Sequence, residues 1–240
     1  MMISAALVLL SFAQVIPDKA SAIYTGVPIA SAPSIKMEQH NASATLTKTN
    51  ETLESLTVLK NTGDSPVTIT VTLPVRGHNV DWSMADNMSL TATLDNSPLT
   101  LQTKGSRITP PSDQKRIASG VKAETYGNYF TASLSFIPHQ THALQVKFSG
   151  ALGHAGLDGT QRVVAYDTSG AGSWNGPVGQ LNFALHYDTR IVFQVFAALP
   201  EHAWQIGPNG AFIKQTDVKP TEGSKLLFTF YPGGYDKIGG

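Results

Sequence analysis

Apolar and polar positions alternate with a period of two along much of this chain. Val67, Ile69, Val71 and Leu73 are interleaved with Thr68, Thr70 and Thr72, which puts apolar side chains on one face of an extended segment and threonines on the other. That pattern predicts a half-buried strand. Residues 53–60 predict another, and Asn61, Thr62, Gly63 and Asp64 between them are residues that reverse a chain, so the two are expected to pair as a hairpin. The same reasoning predicts hairpins from 90–94 with 99–103 around Asp95 to Pro98, from 130–136 with 144–148 around Pro138 to Gln140, and from 181–187 with 191–197 around Asp188 to Arg190. Leu226, Phe228 and Phe230 add a late strand. No segment after Ala22 carries a helical period. Many short strands separated by turn residues predict an all-β fold, an antiparallel β-sandwich. It is either one sandwich or two packed β subdomains, with a candidate boundary inside 104–128, where Gly105, Pro110, Pro111, Gly120 and Gly127 interrupt the alternation.

The amino end follows another pattern. Residues 3–16 are apolar except for Ser4, Ser11 and Gln14, and Pro17, Asp18 and Lys19 close the run ahead of Ala20, Ser21 and Ala22. The run is shorter than the roughly 20 apolar residues of a spanning helix, and small residues at 20 and 22 suit a signal peptidase. Residues 1–22 therefore predict a signal peptide cleaved after Ala22, although no Lys or Arg precedes its apolar core. Residues 23–43 show no apolar period and contain Gly26, Pro28 and Pro33, which predicts a leader with little structural role before the β region 44–240. The mature chain is expected to be periplasmic or extracellular, without a membrane span.

Composition narrows the function classes. Seventeen basic side chains balance 17 acidic ones among 240 residues, so the surface has no positive excess for a polyanion and nucleic acid is not an expected partner. With 41% hydrophobic and 14% charged residues the chain is too apolar to remain disordered. The absence of cysteine removes disulfides, thiolate zinc sites and a cysteine nucleophile.

Individual motifs point to no reaction. No serine has glycine both two residues before and two after it, so no nucleophile elbow is present. His139 and His142 have metal-ligand spacing but lie at a turn rather than on a helix, which favours two turn-side imidazoles. The run 150–159 lacks both a phosphate-binding and a calcium-binding spacing, and Asp64, Asp95, Asp158 and Asp188 sit at turns where carboxylates bond local amides. Sequons at Asn41, Asn50 and Asn87 are uninformative in a chain this rich in serine and threonine. No catalytic residue, metal or cofactor is assigned.

The distinctive stretch is 166–179, where Tyr166, Asp167, Trp174 and Asn175 stand among Gly170, Gly172, Gly176, Pro177 and Gly179. Two readings apply to it. The glycines and proline can bend the backbone so that Trp174 seats as a buried plug, which is the favoured reading. Alternatively Tyr166 and Trp174 stack on a ligand while Asp167 and Asn175 hydrogen-bond it, which makes these four the candidate binding residues.

Tyr166, Gly170, Trp174, Gly176, Pro177, Val178 and Gly179 also resemble the signature of an uncharacterised family of exported bacterial proteins, a domain of unknown function that carries Tyr, Thr-Gly and Trp-x-Gly-Pro-Ile-Gly before a strand. Asp217 and Pro220 ahead of 226–230, and residues 53–74, are similar to that family's later and earlier patterns. The chain departs from it in having Ser169 where threonine is usual and one extra residue between Gly170 and Trp174. The resemblance implies an exported β-rich envelope protein and carries over no catalytic residue. The leading expectation is non-enzymatic recognition of a glycan or an envelope protein. The alternatives are an envelope polysaccharide hydrolase, which needs two carboxylates converging near Trp174, and a structural or assembly subunit, which needs an open edge strand or an exposed apolar patch.

Overall fold

Each long strand turns one row of apolar side chains toward a common interior, and two sheets close on that interior face to face. The computed structural model describes residues 20–78, 87–107, 125–155, 159–220 and 224–233. In chain order the strands are β1 (Ala22–Gly26), β2 (Ile35–Leu46), β3 (Asn50–Asn61), β4 (Val67–His78), β5 (Ser89–Leu94), β6 (Ser97–Pro98), β7 (Gln102–Arg107), β8 (Thr125–Phe136), β9 (Thr141–Ala151), β10 (Gly153–Ala155), β11 (Gln161–Asp167), β12 (Val178–His186), β13 (Val192–Leu199), β14 (Gln205–Gly207), β15 (Gly210–Val218) and β16 (Lys225–Pro232). Sheet I runs β13-β16-β11-β1-β4-β8-β7, with β10 beside β11. Sheet II runs β14-β15-β12-β2-β3-β9-β5-β6. The all-β sandwich is thus the fold. Among the described residues its one non-strand element is a short 3-10 turn at Ser169–Ser173.

Among the described residues most neighbouring strands are antiparallel, but each sheet contains one parallel pair, β1 with β11 and β2 with β12. Strands from the first part of the chain, through β9, lie on one side of these two seams, and strands from β10 onward lie on the other. The two halves therefore share both sheets and one apolar core, which includes Ile35, Val71, Phe136, Phe148, Tyr166, Trp174, Phe183 and Phe228. The glycine- and proline-rich stretch 104–128 does not separate them. Its flanking strands β7 and β8 pair with each other in sheet I, while residues 108–124 lie outside the described residues.

Three of the expected hairpins are not hairpins. β3 belongs to sheet II and β4 to sheet I, and the steps β8 to β9 and β12 to β13 also change sheet. The turn residues do reverse the chain, but the returning strand faces its predecessor across the core instead of pairing beside it. Period-two alternation is equally satisfied either way, since both strands need one apolar face. The Asp95–Asn96 turn does close a hairpin between β5 and β6, with φ of 49° and 68° at its two residues, as a tight two-residue turn requires. Its second strand ends at Pro98, and the chain then moves to β7 in sheet I.

The expected leader is instead built into the sandwich. β1 pairs with β4 and β11 in the middle of sheet I, and β2 pairs with β3 along its whole length. The period of β2 is hard to see because its buried positions include His40, Ala42 and Ala44, and an irregularity between Met37 and Gln39 shifts the phase. Residues 1–19 lie outside the described residues. Ala20 and Ala22 are buried in a small second cluster with Tyr24, Val163, Ala165 and Leu227, and Ser21 exchanges backbone hydrogen bonds with His154 at 2.8 and 2.7 Å.

Candidate functional site

The two seams are bridged by two connections that cross from sheet I to sheet II side by side, 27–34 from β1 to β2 and 168–177 from β11 to β12. The second is the tryptophan loop. Trp174 is 3% exposed and its indole N–H donates to Pro28 O at 2.8 Å. Ser173 Oγ accepts the Ala30 N–H at 3.1 Å and donates to Gly170 O at 2.7 Å, and the Asn175 N–H donates to Ile35 O at 3.1 Å. A Cβ on Gly170 would lie 2.2 Å from Val27 O, and one on Gly26 would lie 2.3 Å from Asp167 O. These glycines allow two backbones to touch, so the loop's composition is a packing requirement.

The four sequence-picked residues do not converge on an open site. Asp167 is buried, with Oδ2 paired to Arg76 at 2.9 Å and Oδ1 accepting the Ser169 N–H at 2.9 Å and the Ser169 hydroxyl at 2.5 Å. Tyr166 points into the core. Its hydroxyl lies 2.6 Å from His40 Nε2 and bonds the Ser55 hydroxyl, and His40 Nδ1 lies 2.8 Å from Thr57 Oγ1. Burial pushes His40 down to about 3, so its imidazole is neutral, and pushes the Tyr166 phenol well above its ordinary value. With Ser55 donating to the phenol, the phenol donating to His40 Nε2 and Nδ1–H donating to Thr57, the chain of four groups is satisfied inside the core. Asn175 alone is exposed. The plug reading of Trp174 holds.

His139 and His142 take separate partners, Asp64 at 3.0 Å and Asp95 at 2.5 Å, and His142 Nε2 also lies 3.1 Å from Ser135 O. Among the described residues no three His, Asp or Glu side chains are grouped to hold a metal ion.

A different region presents a ligand-sized concavity. The outer face of sheet II holds a groove of about 810 Å³, within the volume range of small-molecule sites. Strand register arranges its floor in two rows running across six strands. One row is Phe212, Ala184, Ser43, Glu54, Lys147 and Thr91, and the other is Lys214, Asn182, Asn41, Leu56, Gln145 and Thr93. All twelve line the groove. Short side chains on the central strands β12 and β2, between Phe212 and Lys214 on one flank and Lys147 and Gln145 on the other, hollow the surface. Five strand spacings of about 4.8 Å make it roughly 24 Å long.

Its chemistry is mostly neutral. Asn182 Nδ2–H donates to Asn41 Oδ1 at 2.8 Å, leaving Asn182 Oδ1 without a donor among the described residues. Lys147 pairs with Glu54 at 2.8 Å, and among the described residues Glu54 is the one carboxylate on the lining. Phe212 is 46% exposed. None of this was read from the sequence. The available signal was the run of short neutral residues at alternate outward positions, Asn41 and Ser43 on β2 and Asn182 and Ala184 on β12, but outward polar positions on a half-buried strand ordinarily mean only contact with water.

No protein-family model matches the chain, and no curated protein does. Solved structures match by shape. A protein of Legionella pneumophila provisionally assigned to nutrient binding superposes with a TM-score of 0.68 at 13% identity, over 89% of this chain and 72% of that one. The fold is therefore shared with that protein. An M1 zinc metallopeptidase of Deinococcus radiodurans matches at a TM-score of 0.41 and 7% identity, over 82% of this chain and 42% of the peptidase, and a yeast LTA4 hydrolase at 0.41 and 7%, over 85% and 30%.

Proposed function

We propose that this chain is an exported, non-enzymatic recognition protein of the cell envelope that takes its ligand in the groove on the outer face of sheet II. The observation that carries the reading is the groove itself: an extended hollow floored by amides, hydroxyls and small side chains, with an exposed aromatic ring on one flank. Its one carboxylate is tied to Lys147, whereas a glycosidase centre sets two carboxyl groups across the bond they cleave. The shared fold with a protein provisionally assigned to nutrient binding is compatible with recognition. Export rests on the apolar amino end and on the resemblance to the exported domain family of unknown function. Determining the amino terminus of the chain recovered from the envelope tests it, with Ile23 expected and Met1 on a cell-retained chain against it.

The groove is tested with Ser43→Trp, which fills the centre of its floor. In a thermal-shift and calorimetric screen of small metabolites, soluble glycans and envelope extracts, a ligand of the parent chain should be lost by this variant. Unchanged affinity in a folded Ser43→Trp chain would place binding elsewhere.

A second reading has an observation of its own. β13 is the edge of sheet I and exposes Phe193 and Phe196, at 66% and 60%, which suits an assembly contact. Sedimentation that shows self-association abolished by Phe193→Ser with Phe196→Ser would favour it.

A further inference from the structure

Resting on the groove reading, we propose that the ligand is an oligosaccharide bearing a uronate-type carboxylate, laid across the strands of sheet II with its acidic sugar beside Phe212 and Lys214. Charge is the first argument. Among the described residues two cations and one carboxylate line the groove. Lys147 and Glu54 neutralise each other at 2.8 Å, while Lys214 has no ion-pair partner among the described residues. One positive charge is left, enough for one carboxylate and too little for a polyanion.

Hydrogen-bonding capacity is the second. Asn41 and Asn182 share one bond, which leaves a carbonyl and an amino group of the pair for a ligand. Asn182 Oδ1 is screened from solvent and lacks a donor, and turning the amide outward to present it gives up the bond to Asn41, so a ligand must replace that bond as well. A hydroxyl both donates and accepts, so it satisfies both leftovers. Lys214 stands in register with Asn182, and Phe212 lies two residues from Lys214 on the same face, beside Ala184. A pyranose ring has an apolar C–H face for Phe212 and a hydroxyl rim for the amides, and a carboxylate on that ring reaches the Lys214 ammonium.

Shape is the third. The strands at the centre of the groove, β12, β2, β3 and β9, are paired on both sides, and strand segments with one open side lie at its ends, on β15 beyond Phe212 and on β5 before Thr93. An extended peptide gains its affinity from unpaired main-chain groups at a sheet edge, and the central floor has none to give it.

The experiment is calorimetric titration of the full chain with the neutral tetramers cellotetraose and chitotetraose, and with tetramers of the same backbones in which one sugar is a uronate. At least one uronate is expected to bind about fivefold more tightly than any neutral tetramer. Lys214→Gln should reduce it to the neutral level, and added salt should shrink the advantage. Phe212→Ala should weaken acidic and neutral chains alike. Equal affinity of acidic and neutral tetramers, an unchanged preference in Lys214→Gln, or no binding of any tetramer would each overturn the uronate assignment. The groove reading fails separately, if an envelope-extract or metabolite ligand binds Ser43→Trp as tightly as the parent.

Discussion

The tryptophan loop and the outer face of sheet II differ in opposite senses in sequence and in structure. The loop is unusual in composition, yet Trp174, Tyr166 and Asp167 are buried and spent on internal partners. The groove is built from ordinary Asn, Ser, Ala and Thr, yet it leaves an amide oxygen without a donor among the described residues and a cation and a ring facing outward. Rare composition here marks backbone that is hard to build, and the part free to bind is made of residues that alone would draw no attention. Each substitution below places more weight on one side of that contrast.

The largest effect is expected at the loop. Trp174→Ala empties a core position and removes the bond to Pro28, and should destabilise the chain by about 3 to 5 kcal/mol in denaturant unfolding. Stability unchanged within error would mean that the indole is not seated. Next, Tyr166→Phe strips the hydroxyl from His40 Nε2 and Ser55 and should cost about 1 to 3 kcal/mol, because buried polar groups lose their partner. A neutral result would show that the buried chain is not needed.

A third expectation concerns pH. Glu51 is buried without an ion-pair partner among the described residues, its Oε2 has no hydrogen-bond partner there, and desolvation pushes its carboxyl from 4.5 up to about 8. Between those values the unfolded chain releases the proton while the native chain keeps it, so this contribution to stability is present at low pH and lost as pH rises through about 8. His40 works in the opposite direction. Its folded value near 3 lies below the ordinary 6.5, so its contribution is present above 6.5 and is lost as pH falls toward 3. Urea midpoints should fall between about pH 6.5 and about pH 8, where His40 no longer opposes Glu51, and Glu51→Gln should flatten that fall. An equal slope in the variant would assign it to another group.

The smallest stability effects belong to the groove. Phe212→Ala and Lys214→Gln change exposed side chains and should move stability by no more than about 0.5 kcal/mol while weakening ligand binding. A large destabilisation of either would make this face structural as well.

Much of the sandwich was legible from alternation, because Ile69, Val71 and Leu73, or Leu181, Phe183 and Leu185, must share one face whatever they pair with. Pairing was not legible. The turn after Asn61 reverses the chain, but nothing local distinguishes a return within one sheet from a return across the core. β1 and β2 were hidden for another reason. Their inward positions include Thr25, His40, Ala42 and Ala44, and the buried partners of His40, Thr57 and Tyr166, come from 17 and 126 residues away. The plug role of Trp174 was legible because its glycines speak about backbone. The groove was not, since its floor exists only once β15, β12, β2, β3, β9 and β5 lie side by side.

The contrast is tested most directly by native mass spectrometry of the parent, Ser43→Trp and Asn175→Ala chains, each incubated with a soluble digest of envelope polysaccharide. Asn175 is the exposed member of the tryptophan-loop candidates, and Ser43 lies at the centre of the groove. The parent and Asn175→Ala should carry the same saccharide adduct and Ser43→Trp should carry none. An adduct retained by Ser43→Trp and lost by Asn175→Ala would contradict the account and return the binding site to the loop.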